Sequence, residues 1–195
     1  LGEGLGGMAG DLTVIAKQAL PVSGISALAD GSASSGSLLL SGAGTDNQAI
    51  NNSSVYAYIE SGTGLRFTGT AEVNANTFTS QHATSDGVSV GALAGGASLA
   101  DANAISDTRA YFEPQVAVEG SDLRIFAGGL DDSQAAAEVG SGGVIAGGDA
   151  EASTNLSSSA KAYLSSNPVD QPAAQFNVRS LEIKADHTVS FNSIA

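Results

Sequence analysis

The residues that could carry acid–base or nucleophilic chemistry are few and scattered. The sequence has two histidines, His82 and His187, which are 105 positions apart. Neither lies in a recognised nucleophile, metallopeptidase or phosphate-binding motif. We interpret both as structural or exposed residues, and we assign no catalytic, cofactor-binding or metal-binding residues.

Carboxylates offer an alternative, because parallel β-helices include polysaccharide lyases and hydrolases that act through acidic and basic side chains in a surface groove. The pair Asp131-Asp132 follows Gly-Gly-Leu, and Gly and Asp both favour turns. A solvated turn is the simpler interpretation, so the sequence favours a protein that is not an enzyme. The full set of candidates for the alternative is Asp131, Asp132, Glu138, Asp149 and Glu151, with Arg109 or Arg124 as electrophilic partners.

Two binding sites known from repetitive β proteins are weakly represented. Calcium-binding solenoids repeat a glycine-rich nonapeptide whose loops supply oxygen ligands. Here only the fragments Gly147-Gly148-Asp149 and Asp101-Ala102-Asn103 occur. An ice-binding surface needs regular Thr-x-Thr rows, and Thr77-Phe78-Thr79 occurs once. The sequence therefore favours neither site.

The charge and hydropathy of the chain exclude other classes of partner. A net charge of −13 with only 7 Lys and Arg residues argues against nucleic acid. No apolar run approaches the roughly 18 residues needed to span a bilayer, so we expect no membrane span. The chain begins at Leu1 without a charged-then-apolar leader, so we expect that any export signal lies outside this segment or was removed. The lack of cysteine is compatible with export.

Small residues dominate the composition, with 25 Gly and only 5% aromatic residues. A thick globular core is therefore excluded. Disorder is opposed by a hydrophobic content of 42% and by apolar residues in alternating runs, such as Leu123, Ile125 and Ala127.

Three motifs recur along the chain. The first is found as LTVIA at 12–16, LRFTG at 65–69, LRIFA at 123–127 and LEIKA at 181–185. The second begins at Leu40, Leu93 and Ile145, and the third contains Tyr58, Tyr111 and Tyr163. The second motif always begins 18 residues before the tyrosine of the third. This constancy predicts a structural repeat of about 53 residues, with insertions collected at one point.

Period-two alternation in each motif predicts strands, and glycine pairs oppose helices. We interpret even the Ala-rich segment 134–139 as a strand, with Ala135, Ala137 and Val139 on one face. Stacked repeats then give an all-β, right-handed parallel β-solenoid, with two coils expected per repeat and seven to eight coils in all. We expect residues 1–195 to form one segment of a longer array, with repeats starting near 12, 65, 123 and 181.

The types of residue at the alternating positions predict the shape of the interior. Alanine at inward positions predicts a thin cross-section, with a thicker end built by large apolar residues at 12, 65, 67, 123, 125, 181 and 183. One tyrosine per repeat predicts a stacked ladder of Tyr58, Tyr111 and Tyr163. Alternation alone leaves open whether these rings face inward or outward.

The L-x-[VIF]-x-A strand, the segment VIAGGDAEAS at 144–153 and the Ala-Tyr strand together resemble known repeats. They are similar to those of filamentous-haemagglutinin-like and leukotoxin-like secreted adhesins of Gram-negative bacteria. The resemblance implies the non-catalytic shaft of an extracellular adhesin, fibre or biofilm-matrix protein, secreted or at the cell surface. Expected partners are other copies or flanking repeats of the same protein and cell-surface or matrix carbohydrate. The alternative is a carbohydrate-active enzyme or carbohydrate-binding module on a parallel β-helix.

Overall fold

The computed structural model describes residues 10–165 and 174–195. The regular structure of these residues is entirely β. The nine strands are β1 (Leu12–Gln18), β2 (Ala27–Gly36), β3 (Leu40–Ile59), β4 (Gly64–Arg66), β5 (Thr70–Val90), β6 (Leu93–Phe112), β7 (Ala117–Gly142), β8 (Ile145–Leu164) and β9 (Gln175–Ile194).

The strands form two sheets in which every pairing is parallel. In the first sheet, β1 and β2 pair with β5, β4 and β5 pair with β7, and β9 lies on the other edge of β7. The second sheet has the order β3-β6-β8. The chain crosses one sheet, turns, crosses the other and returns, and we call one such pass a coil. This arrangement is compatible with a β-helix.

The register of the second sheet confirms how the second and third motifs align. Leu40 pairs with Leu93, and Leu93 pairs with Ile145. The three motif tyrosines are aligned in the same way. Neighbouring strands are thus offset by one whole sequence repeat.

The prediction of two coils per repeat, and of seven to eight coils in all, is therefore wrong. Each coil uses a full repeat because its strands are far longer than the five or six residues typical of globular proteins. β3, β6 and β8 each have 20 residues, and β7 has 26. No proline interrupts any strand, so nothing ends the pairing early.

The alignment of the first motif at Leu65 is also wrong. Leu12 and Leu123 both pair with Ala71, and Leu181 pairs with Leu123, so those three motif copies share one column. Leu65 pairs instead with Val118. The short strand β4 has the same apolar spacing as the motif, but it lies before the bend that leads into β5.

The interior is thin in the middle and thick at one end, as the residue types predict, but Leu181 and Ile183 of the predicted thick end are 45% and 43% exposed. Six buried alanines line the thin part, where methyl groups let the sheets approach. They are Ala49, Ala83, Ala100, Ala102, Ala135 and Ala137. At the thick end the largest buried side chains include Phe67, Phe112, Leu123 and Ile125. Phe112 also meets Phe176 edge to face, with ring centroids 5.7 Å apart.

The turn between β7 and β8 is so tightly stacked on the preceding coil that it requires glycine. A Cβ at Gly143 would lie 1.8 Å from the backbone oxygen of Gly91. We expect Gly143→Ala to lower the free energy of unfolding by roughly 1–3 kcal/mol, the usual cost of overpacking. Urea denaturation would measure this loss. Gly147→Ala is the matched control, because a Cβ there meets nothing within 4 Å, and an equal loss in both variants would contradict the steric explanation.

Candidate functional site

The most concentrated polar cluster lies inside the molecule, around the carboxylate of Asp131. This residue is 0% exposed and points from β7 into the space between the sheets. Ser106 donates a hydrogen bond to its Oδ2 over 2.7 Å, and Thr79 and Ser158 also donate to the carboxylate. His187 Nε2 lies 2.9 Å from the same Oδ2. Donors from both sheets therefore converge on a single acid.

These donors keep the carboxylate ionised despite its burial. Burial raises the pKa of Asp131, but the hydrogen bonds from Ser158, Thr79, Ser106 and His187 outweigh it and hold the pKa below its usual value. Because several donors already occupy the carboxylate and it has no exposed surface, it lacks the access to substrate that a general acid or base needs. The cluster instead joins the two sheets across the interior.

His187 enters this cluster from β9 through a gap left by glycine. It pairs in register with Gly129, and a Cβ at Gly129 would lie 2.4 Å from His187 Nδ1. The His187 side chain is largely buried, with 14% of its surface exposed. Gly129 thus makes room for an imidazole, and the glycine pair before Asp131 does not form a turn. The prediction of a solvated turn at Asp131-Asp132 is wrong, because both residues lie inside β7.

The lowered pKa of Asp131 predicts a loss of stability in acid. A carboxyl group with a folded-state pKa below its unfolded value of 3.8 stabilises the fold above that value. This contribution disappears as the pH falls through the folded pKa, that is, below about pH 4. We expect the free energy of unfolding to fall less steeply below this pH in Asp131→Asn than in the unsubstituted protein. Denaturation at a series of pH values tests this, and parallel slopes would contradict it.

The other carboxylates and arginines of the enzymatic alternative do not converge. Alternation along the strands places Asp132 and Glu138 on the outer face of the first sheet, and Asp149 and Glu151 on the outer face of the second. The two candidate arginines also lie on different sheets, with Arg109 on β6 and Arg124 on β7. The Asp132 carboxylate lies 3.7 Å from His82 Nε2, but His82 is not one of the candidates. The structure therefore does not assemble the predicted candidates into one site.

The three motif tyrosines stack on the outer face of the second sheet. Their ring centroids are 5.3 Å apart between Tyr58 and Tyr111 and 5.0 Å apart between Tyr111 and Tyr163, with interplanar angles of 11° and 2°. Tyr58 is 46% exposed, whereas the adjacent Ala57 and Ile59 are buried, so the ladder faces outward. Burial and the neighbouring tyrosines and Glu113 raise the pKa of Tyr111. The ladder is confirmed, and its orientation is settled.

A hydrogen-bonded cluster lies beside this ladder. Tyr56 donates to Asp107 over 2.9 Å, and Arg109 Nε donates to the same carboxylate over 3.0 Å. The Arg109 guanidinium also lies 5.3 Å from the centre of the Tyr56 ring. Burial raises the pKa of Asp107, but the hydrogen bonds from Arg109 and Tyr56 lower it further than burial raises it. The polar groups of Tyr56, Asp107 and Arg109 are thus hydrogen-bonded to one another.

A shallow groove crosses the outer face of the first sheet beside Phe126. The ring lies over Gly128, where a Cβ would approach it to 2.7 Å, and Lys184 Nζ lies 5.6 Å from its centre. Arg124 Nε lies 3.5 Å from a carboxylate oxygen of Glu182 in the next strand. The groove thus offers an aromatic surface together with charges of both signs. It is lined by Glu72, Asn74, Arg124, Phe126, Glu182 and Lys184.

The two calcium-site fragments lie within strands, Gly147–Asp149 in β8 and Asp101–Asn103 in β6. No group of three acidic, histidine or cysteine side chains suited to a metal ion occurs among residues 10–165 and 174–195. Asp101 accepts a hydrogen bond from Ser153 over 2.7 Å. These same residue ranges also contain no helix with the length and apolar character needed to cross a membrane.

The geometry of the outer faces and of the interior cluster can be set beside known proteins. No family model, curated protein or solved structure matches this chain. The resemblance to secreted filamentous adhesins therefore stays a prediction.

Proposed function

We propose that the chain is a non-catalytic structural segment, the shaft of an extracellular adhesin, fibre or biofilm-matrix protein. In this proposal the parallel strands form a right-handed β-solenoid whose coils stack along the shaft axis. The observation that carries it is the register, because equivalent residues of successive coils lie directly over one another across both sheets. Such stacking suits a protein whose stability accumulates along one direction.

The distribution of polar groups supports a structural role over a catalytic one. Among the described residues, the one fully buried carboxylate is that of Asp131, and the hydrogen bonds it accepts join the two sheets. The outward aromatic rings stack on one another from coil to coil. Both arrangements stiffen the stack, and neither presents a set of converging reactive groups.

The β9 end of the described stack supports the expected partners, which are other copies or flanking repeats of the same protein. Leu181 and Ile183 of β9 are 45% and 43% exposed, although their register partners Leu123 and Ile125 are buried. A further coil would cover these side chains and pair with the free edge of the strand. Burying them stabilises the stack by the usual hydrophobic free energy.

Immunogold labelling of intact producing cells tests the proposal. An antibody against residues 10–195 should label filaments outside the cell without permeabilisation. Removing residues 40–92 deletes one coil but keeps Asp131 with three of its donors, and Leu93 would then take the place of Leu40 in the register. We expect this deletion to leave surface filaments and cell attachment intact. Labelling that requires cell lysis would contradict the proposal.

A second candidate function is binding of a polysaccharide in the groove beside Phe126. A half-buried ring next to carboxylates, an amide and two cations is a combination that recognises sugars by stacking and hydrogen bonding. Glycan-array binding that is lost in Phe126→Ala but retained in Phe78→Ala would favour this candidate. Turnover of a polysaccharide that is abolished by Asp132→Ala in a folded protein would instead favour an enzyme.

A further inference from the structure

One edge of the stack, where the chain passes from the first sheet to the second, carries no ionisable side chain. The three segments that build it are 34–44, 87–97 and 139–148, one from each coil. None of them contains Asp, Glu, Lys, Arg or His, in a chain with a net charge of −13. We call this edge the uncharged rim.

Large apolar side chains are exposed along the whole of this rim. Each is between 47% and 94% exposed. Leu40, Leu93 and Ile145 are aligned in register on the side of the second sheet, so the patch continues there from coil to coil. Contiguous apolar patches of this kind mark interaction sites, whereas single exposed apolar residues need no explanation. The members are Leu38, Leu39, Leu40, Val88, Val90, Leu93, Val144 and Ile145.

The backbone of the uncharged rim is fixed by hydrogen bonds between coils. The amide of Leu93 donates to the carbonyl of Leu39 over 2.8 Å, and that of Ile145 donates to Ala92 over 3.0 Å. The amide of Gly91 likewise donates to Gly142 over 2.9 Å. A partner therefore meets a preorganised surface and does not have to order a loop on binding.

The opposite edge of the stack has a different character. Glu60 and Glu113 lie in its turns, and Arg66 forms an ion pair with Glu119 over 3.0 Å. Arg179 and Asp122 form another, with an N–O distance of 2.6 Å. The lack of charge is thus a property of one edge and not of the turns in general.

We propose that the uncharged rim binds the uncharged rim of a second copy of this chain, so that stacks associate side by side. The net charge of the chain favours a second copy as the partner. Two copies that each carry −13 repel one another, and contact through the uncharged rims keeps their carboxylates farthest apart. The same net charge disfavours an anionic membrane surface. Contact of one patch with itself gives a two-fold symmetric pair.

The size of the apolar patch determines how strongly two copies are expected to pair. A stable interface buries about 800 Å² on each partner, and three coils offer only eight large side chains. We expect weak, reversible pairing that strengthens with protein concentration. Screening of the repulsion should strengthen it further as NaCl is raised from about 0.05 M to about 1 M. The inference does not depend on the proposed shaft function.

Sedimentation velocity on matched variants tests the pairing. Val144→Asp places a charge at a rim position that is 90% exposed, and Ile105→Asp places one at a 56% exposed position on the outer face of the second sheet. We expect Val144→Asp to abolish the salt-promoted dimer and Ile105→Asp to retain it. A protein that stays monomeric at all concentrations and salt levels would overturn the inference, as would equal effects of both variants.

Cross-linking identifies the contacting surface directly, because the natural chain has no cysteine. Under mild oxidation, Leu93→Cys in the middle coil should form a disulfide-linked dimer, and Ile105→Cys should not. The reverse result would place the contact on the sheet face and overturn the inference. Binding of the chain to phosphatidylcholine vesicles, lost in Val144→Asp and unaccompanied by dimers, would assign the rim to a lipid surface instead.

Discussion

Replacing Asp131 with alanine should lower the free energy of unfolding by about 3–5 kcal/mol, the range seen when one member of a buried charged cluster is removed. The loss arises because the hydroxyls of Ser106, Ser158 and Thr79 and the ring of His187 lose their common acceptor. Ser106 is 2% exposed, so its hydroxyl would then be buried without its acceptor, which costs more than the hydrogen bond itself contributed. Urea denaturation at pH 7 measures the effect.

The neighbouring carboxylate provides the control for this prediction. Asp132 follows Asp131 directly but lies on the outer face, where its side chain is 30% exposed. We expect Asp132→Ala to change the free energy of unfolding by no more than about 0.5 kcal/mol, as is usual for surface positions. If the two variants were equally stable, the cluster would not be what joins the two sheets.

Truncation of Phe112 should have an effect of similar size at the thick end of the interior. Its side chain is fully buried and contacts the ring of Phe176. Phe112→Ala removes this aromatic contact and leaves a cavity between rigid sheets, so we expect a loss of about 3–5 kcal/mol. The shift of the denaturation midpoint at constant slope is the measurement.

Ile105→Ala is the control for this second prediction, since Ile105 lies on the same strand but is 56% exposed. It should cost far less than Phe112→Ala, because an exposed side chain leaves no cavity. A loss at Phe112 as small as that at Ile105 would mean that the thick end contributes little to the stability of the stack.

The sequence predicts the second sheet well because its repeat contains two motifs at a fixed distance from each other. The distance of 18 residues from the start of the second motif to the tyrosine is constant, so only one alignment satisfies both. The structure has that register over the full length of β3, β6 and β8. Here local pattern and long-range pairing agree.

The first sheet could be predicted less well, because short apolar patterns recur there at non-equivalent places. LRFTG matches LRIFA by residue type, but Leu65 lies on β4 and Leu123 lies after the bend on β7. The number of coils was missed for a related reason. Alternation predicts that a segment is a strand but does not fix how many residues pass before the chain turns into the other sheet.

The inward position of Asp131 can be predicted from the alternation of apolar residues before it. Leu123, Ile125 and Ala127 alternate toward the interior, and extending this period by two more steps reaches Asp131. Its donors were harder to foresee, because Ser106 and Ser158 come from the other sheet and His187 lies 56 residues away. Only the register brings those groups together.

The length of the strands has a mechanical consequence. Twenty residues of extended chain span about 65 Å, whereas each added coil raises the stack by only about 4.8 Å. A complete repeat of some fifty residues thus gains very little height, and the cross-section is a broad ribbon. In a fibre built in this way most of the chain adds width, which resists bending across the wide axis. A long fibre would therefore require a very long polypeptide.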